Sequence, residues 1–246
     1  MIKVKKELED YLNLVIPQPL EENEYIRLLM ISTKTEIPKV LYLKTFEEVS
    51  EAIKKHIFYC NIFISLATYL KKGADEPEIY RRQVIFLDFD KKDFPDFEEL
   101  SQYSNLIKSK FPSLFYHCVV ASGSGGYHYY ISLEPAPLED IVKINKDIAK
   151  IVGADIKAAN SKQIVRIPTS NNLKDMNNKK YVKVVANTYG TEKFIPYTTE
   201  RLKNMVQFCS HKNEIVVPKQ EPPIIKDDFT ENFYCVEQMI NLGCKA

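Results

Sequence analysis

The run RRQVIFLDFD, Arg81 to Asp90, constrains the fold more than any other stretch of the chain. Val84, Ile85, Phe86 and Leu87 are consecutive and apolar, so an extended backbone would present hydrocarbon on both of its faces. Such a strand needs a packed layer on each side, and it reads as a central strand of a sheet. The surrounding sequence supplies both kinds of layer. Residues 3–15 have helical character, PQPL at 17–20 breaks them, and EYIRLLMIS and PKVLYLK follow as strands. Thr45 and Glu48 form a capping box ahead of the helix FEEVSEAIKKHI, in which Phe46, Val49 and Ile53 share one stripe. A further strand falls within 58–68, and 71–79 reads as a loop. Beyond the apolar run a helix is expected from Asp96 to Phe111, then strands at 114–121 and 127–133 around a glycine turn. A helix from Pro137 to Val152 is capped by Gly153, strands follow at 162–167, 181–187 and 193–196, and a helix lies near 199–208. Hairpins mixed with separate helices predict an α+β fold rather than a regularly alternating parallel sheet.

A length of 246 residues with 45% hydrophobic and 27% charged residues suits a folded chain with one substantial core or two smaller ones. The net charge of +1 conceals a local imbalance, because Lys157 to Lys183 holds seven Lys/Arg against the single acid Asp175. That segment reads as a solvated lysine-rich face or as a surface for phosphates. The five cysteines are odd in number and unevenly spaced, which fits a reduced, intracellular chain. His117–Cys118 and Cys209–His211 lack a matching second pair, so no structural zinc is expected. The charged start MIKVKKELED is unlike a secretory signal, and IFISLATYL is too short to span a bilayer. A cytoplasmic protein without membrane attachment is expected. After Pro218 the stretch KQEPPIIKDD reads as a linker, which divides the chain into a folded unit, 1–217, and a linker with a short helical segment, 218–246.

Three stretches carry chemistry. In FLDFD, Asp88 and Asp90 project from one face of the strand while Phe89 points the other way. Two carboxylates so close raise each other's pKa unless a positive charge joins them, and a divalent cation such as magnesium is an economical partner. The bland reading is a solvated strand end capped by Lys91 and Lys92. In SGSGGYHYY, Ser122 to Tyr130, three of the chain's seven glycines crowd one turn. Gly123, Gly125 and Gly126 suit positive φ and leave amides open to an anion, Ser122 offers a hydroxyl, and His128 projects opposite Tyr127 and Tyr129. A core histidine in an ordinary hairpin is the alternative, and Tyr127, Tyr129 and Tyr130 either pack or face a base or sugar. The turn lacks the Gly-Lys-Ser/Thr ending of a P-loop. In GADIKAANSKQIVRIPTSNNLKD, Asp155 occupies a loop from which it can join the first two acids. Arg166, Ser170, Asn172 and Lys174 would share one side of a path held extended by Pro168.

In this order the three stretches resemble the motifs of the archaeo-eukaryotic primase superfamily: Asp-x-Asp at a strand end, a Ser-Gly-x-x-Gly-x-His hairpin, and a third Asp before a basic-Pro-Ser run. Here these are Asp88 and Asp90; Ser122, Gly123, Gly126 and His128; and Asp155 with Arg166, Pro168, Ser170 and Lys174, over roughly residues 80–190. The resemblance implies a mixed α/β N-terminal unit packed on a sheet unit like an RNA-recognition fold, with residues 1–217 forming the catalytic core. It further implies a DNA primase-polymerase that makes primers on single-stranded DNA from nucleoside triphosphates by two-metal transfer. Asp88, Asp90 and Asp155 would hold two Mg2+ or Mn2+ ions, while His128, Ser122, the hairpin amides, Arg166 and Lys174 would hold the triphosphate. Helicase, nuclease or other replication domains are the partners expected in cis or in trans. The zinc element of many relatives has no counterpart here, and Asn172 stands where replicative relatives often have histidine.

Two other readings compete. One is a catalytically weak relative that binds DNA during replication initiation. The other is an Asp-based phosphatase with FLDFD as the nucleophile strand, disfavoured because Lys92 stands where such enzymes carry Thr or Val.

Overall fold

The computed structural model describes residues 2–71, 77–174, 177 and 179–214, so the segment 218–246 lies outside the described residues. Helix α1 (Ile2–Val15) leads into β1 (Glu24–Ser32), which pairs antiparallel with β2 (Pro38–Leu43) from Ile26 to Ile31. Helix α2 (Phe46–His56) starts at the expected capping box: the Glu48 amide donates to Thr45 Oγ1 at 3.2 Å and the Thr45 amide to Glu48 Oε2 at 3.2 Å. β3 (Cys60–Ser65) returns beside β1, and the short strands β4 (Tyr69–Leu70) and β5 (Glu78–Ile79) extend the sheet on the other side. The end of the segment expected as a loop therefore pairs as a strand.

β6 (Val84–Phe89), α3 (Leu100–Lys110), β7 (Cys118–Ala121), β8 (Tyr127–Ser132), α4 (Leu138–Val152) and β12 (Lys183–Asn187) follow a βαββαβ order, with β9 to β11 inserted before the last strand. They build a second antiparallel sheet ordered β12-β7-β8-β6. Between α4 and β12 the chain makes a 3₁₀ turn (Ile156–Ala158). It then crosses to the first sheet as β9 (Ile164–Arg166) beside β3 and forms a small hairpin, β10 (Asn171–Asn172) with β11 (Lys180–Tyr181). Helix α5 (Thr199–Glu214) closes the described chain. Among the described residues no helix is long and apolar enough to cross a membrane.

The layers demanded by the apolar run are present. Ile85, Leu87 and Phe89 face a core shared with α3, α4 and α5, while Val84 and Phe86 face one shared with α1, α2 and the inner side of the first sheet. Each of these side chains contributes about 1.5–3 kcal/mol by burial. The expectation of a central strand is corrected, however, because among the described residues β6 pairs only with β8 and forms the edge of its sheet. Apolar character on both faces reports covering layers; it does not report lateral neighbours.

Three other boundaries differ from expectation. Helix α3 starts at Leu100 rather than Asp96, because residues 93–97 turn so that Phe94 and Phe97 pack on Tyr103, and Gln102 Oε1 accepts the Glu98 and Glu99 amides at 2.6 and 2.8 Å. The strand expected at 193–196 is a turn, with the Phe194 amide donating to Thr191 O; only Tyr197 bridges to Leu133. β7 begins at Cys118, four residues later than read, since Leu114 is held in a turn on Phe111.

Candidate active site

Antiparallel register places Asp88 of β6 directly opposite His128 of β8, with Val120 of β7 next in the row. Their side chains share a face, and His128 Nε2 lies 3.7 Å from Asp88 Oδ1. Asp155 arrives from the other direction. Gly153 ends α4 in the left-handed region at φ 80°, which turns the chain so that the Asp155 amide donates to the Asp88 carbonyl at 2.9 Å. Asp90 follows directly on β6 and pairs with Lys92 at 2.8 Å.

These neighbours fix the electrostatics. Burial, followed by the like charges of Asp90 and Asp155, pushes the Asp88 carboxyl up from 3.8 to about 7. Burial, with Arg166 adding to it, pulls His128 down from 6.5 to about 4. Between those values neither group is predominantly charged, so their contact is a meeting of neutral groups rather than an ion pair. His128 Nδ1 and Arg166 Nε are both buried without a hydrogen-bond partner. The orphaned His128 and Arg166 nitrogens fit a polar ligand, and a carboxylate crowded by like charges fits a cation.

The hairpin glycines have separate tasks. Gly123 and Gly125 adopt φ of 72° and 93°, and a Cβ on Gly126 would stand 2.4 Å from the Phe89 carbonyl. Gly126 therefore lets β8 start against the end of the Asp-bearing strand. A Cβ on Gly123 would touch Asn172 Cβ at 3.1 Å, and one on Gly125 would touch Lys91 Cβ at 3.3 Å, so the turn sits between the Asp88–Asp90 strand end and the β10–β11 hairpin. Ser122 is buried; its hydroxyl donates to Gly126 O at 3.1 Å and meets Ser124 Oγ at 2.8 Å, closing the turn from inside.

The extended path expected from Arg166 to Lys174 is corrected. After β9 the chain turns at Pro168–Ser170, with Thr169 at φ 67°, and the buried Ser170 hydroxyl donates to Ile167 O at 2.6 Å. Pro168 fixes only its own φ, so it does not keep its neighbours extended. Arg166 stays close enough to His128 to add to the lowering of its pKa, and lies over the Phe63 ring at 5.0 Å. Asn172 is buried against the glycine turn and accepts the Lys174 amide at 3.2 Å, while Lys174 is exposed. Tyr129 and Tyr130 are core residues whose hydroxyls meet Ser104 and Tyr11. Both ring nitrogens of His117 are hydrogen-bonded, to the Ser132 amide and the Ile195 carbonyl.

The donor set has the chemistry of a hard-cation site: Asp88, Asp90 and Asp155 offer carboxylate oxygens around one strand end. Among the described residues no three acids, histidines or cysteines already converge on a single point. Asp90 is turned to Lys92, and Asp155 Oδ1 accepts the Lys157 amide at 2.8 Å. To join Asp88 on a cation, the half-buried Asp90 and Asp155 side chains would have to turn from these partners.

No protein-family model matches the sequence, and no curated protein matches it. Solved structures do. The AEP domain of the cyanophage S-2L primase-polymerase superposes with a TM-score of 0.58 at 14% identity, over 82% of this chain and 97% of that one. Primase RepB' matches with a TM-score of 0.54 at 12% identity, over 86% of this chain and 63% of that one. This chain thus spans somewhat less than two thirds of that primase. The catalytic domain of RepB' in complex with initiator DNA matches with a TM-score of 0.52 at 13% identity, over 89% of this chain and 99% of that one. The chain has the archaeo-eukaryotic primase fold.

Within this primase fold, sequence reasoning missed Arg82, Asn145 and Phe63. Asn145 was detectable as a polar residue on the apolar stripe of α4, between Ile141 and Ile148. Phe63 alternates outward on β3, on a side of the first sheet that neither core covers. Tyr25, Arg27, Leu29 and Ile31 of β1, Tyr42 of β2 and Phe63 are half-buried there and belong to neither core. Arg27 lies over Tyr69 at 5.6 Å, and none of these outward side chains is acidic.

Proposed function

We propose that this chain is a primase-polymerase domain that joins nucleotides on a single-stranded DNA template. The observation that carries the reading is that Asp90, Asp155 and His128 all neighbour Asp88 at one end of β6, with Arg166 near His128, in a fold shared with primase domains. Asp88, Asp90 and Asp155 would hold Mg2+ or Mn2+, which when bound supplies activation of the attacking hydroxyl and neutralisation of the nucleotide phosphates. His128, neutral at physiological pH, offers Nδ1 for a hydrogen bond to a phosphate oxygen or sugar. Arg166 brings a permanent charge and an unsatisfied Nε to the same place. Gly126 and Ser122 serve by shaping the turn, and Asn172 and Lys174 line its far side. The open side of the first sheet, with arginines over aromatic rings and no acid, suits a template strand whose bases stack and whose phosphates are neutralised.

The test is incubation of the purified protein with Mn2+, single-stranded DNA and labelled nucleotides. Short oligonucleotides should form, and Asp88→Ala should abolish them. Undiminished synthesis by Asp88→Ala would overturn the assignment. Salt-dependent DNA binding with no incorporation by the wild type would instead favour the catalytically weak DNA-binding module, for which the engagement of Asp90 by Lys92 speaks.

A further inference from the structure

An edge strand leaves every second residue with an unpaired N–H and C=O, and β6 is such an edge. Its outward backbone groups belong to Val84, Phe86 and Asp88; the segment running from α4 through Asn160 meets the last two, and Arg82 meets the first. At Phe86, the Asn145 side-chain amide acts as a single peptide unit of a missing strand: Nδ2 donates to Phe86 O at 2.7 Å and Oδ1 accepts the Phe86 amide at 2.9 Å. At Asp88, the Asp155 amide donates to the carbonyl at 2.9 Å. At Val84, the carbonyl accepts Arg82 Nε at 2.6 Å. The same guanidinium donates to Asn145 Oδ1 at 2.8 Å and to Asn160 O at 3.0 Å, closing the network beyond the third acid.

We propose that Asn145 and Arg82 are positioning residues that set the register between Asp155 and Asp88. The proposal rests on the three acids acting as one site. Asn145 and Asp155 lie on one helix and its cap, so fixing the first on Phe86 fixes where the second meets Asp88. Packing alone would not select this set. Arg82 is 1% exposed, its three hydrogen bonds go to uncharged oxygens, and burial pulls its pKa down to about 10. An apolar pair in the same space would serve stability at least as well, whereas directional bonds specify one alignment. A slip of α4 along β6 would break the Phe86 pair and the Asp155–Asp88 bond together.

The experiment uses the full chain. Mn2+ affinity is read from the paramagnetic resonance of free Mn2+, and exchange of the Asp155 amide is followed by NMR. Asn145→Leu should weaken Mn2+ binding roughly tenfold or more and accelerate Asp155 exchange. Leu202→Ala, which removes a core side chain of α5, should lower the melting temperature while leaving Mn2+ affinity unchanged. Arg82→Lys, which keeps the charge but not the fork, should fall between wild type and Asn145→Leu. Wild-type affinity in Asn145→Leu, with Asp88→Ala unable to bind, overturns the positioning role; Mn2+ binding undiminished in Asp88→Ala overturns the three-acid reading instead. Should Asn145→Leu not fold, Asn145→Asp replaces it, since it keeps the size but cannot donate to Phe86 O, with the same expected and overturning results.

Discussion

Layers cover the β12-β7-β8-β6 sheet on both faces, whereas among the described residues one face of the sheet built on β1 has no layer packed over it. In the covered sheet a polar side chain such as His128 is surrounded, and burial pulls its pKa down to about 4. On the bare face, Arg27 and Arg166 instead rest on the rings of Tyr69 and Phe63. One sheet therefore supplies fixed chemistry, and the other an adaptable contact surface.

Substitutions of two phenylalanines would break that comparison if it is wrong. Phe86→Ala, on the covered sheet, should cost about 3–5 kcal/mol in denaturant unfolding. Gly126→Ala should be of similar severity, because its Cβ would meet the Phe89 carbonyl at 2.4 Å; Gly190→Ala, at φ 74° with open space around it, should cost only ~1 kcal/mol. On the bare face, Phe63→Ala should leave folding nearly unchanged and weaken single-stranded DNA binding by about 1–3 kcal/mol, measured by fluorescence anisotropy. Equal losses of stability in the Phe86 and Phe63 variants would erase the distinction.

A smaller effect sharpens it through pH. The raised Asp88 pKa contributes stability that is present in acid and lost as pH rises through about 7. The depressed His128 pKa has the opposite sign: its contribution is present above 6.5 and lost as pH falls toward about 4. In the metal-free protein the two offset each other between these values. Asp88→Asn removes one, so its melting temperature should fall on acidification more steeply than that of the wild type. Mn2+ binding should tighten as pH rises through about 7, because Asp88 must release its proton.

Local signals were legible in the sequence where one stretch determined its own geometry. The capping box at Thr45 and the cap at Gly153 follow from side-chain spacing and glycine content, whereas the meeting of Asp88 with the His128 hairpin was implied only by the family resemblance. The edge position of β6 was not legible, since lateral pairing depends on where β12 docks. Likewise Ser122 and Ser170 have the hydroxyls expected of phosphate ligands, yet both are spent on turns only the folded backbone reveals. Thr169 in the left-handed region carries no sequence signal, and with it went the extended path from Arg166 to Lys174.

The 155–166 connection ties the two sheets together. Its first residue is bonded to Asp88 in one sheet, and its last lies in β9, paired with β3 in the other. The two halves are riveted at the point where a hinge would otherwise lie, and swinging them apart would tear one of those ladders. Movement there then falls to side chains at the rim, such as Arg166 over Phe63 and Asp90 at Lys92.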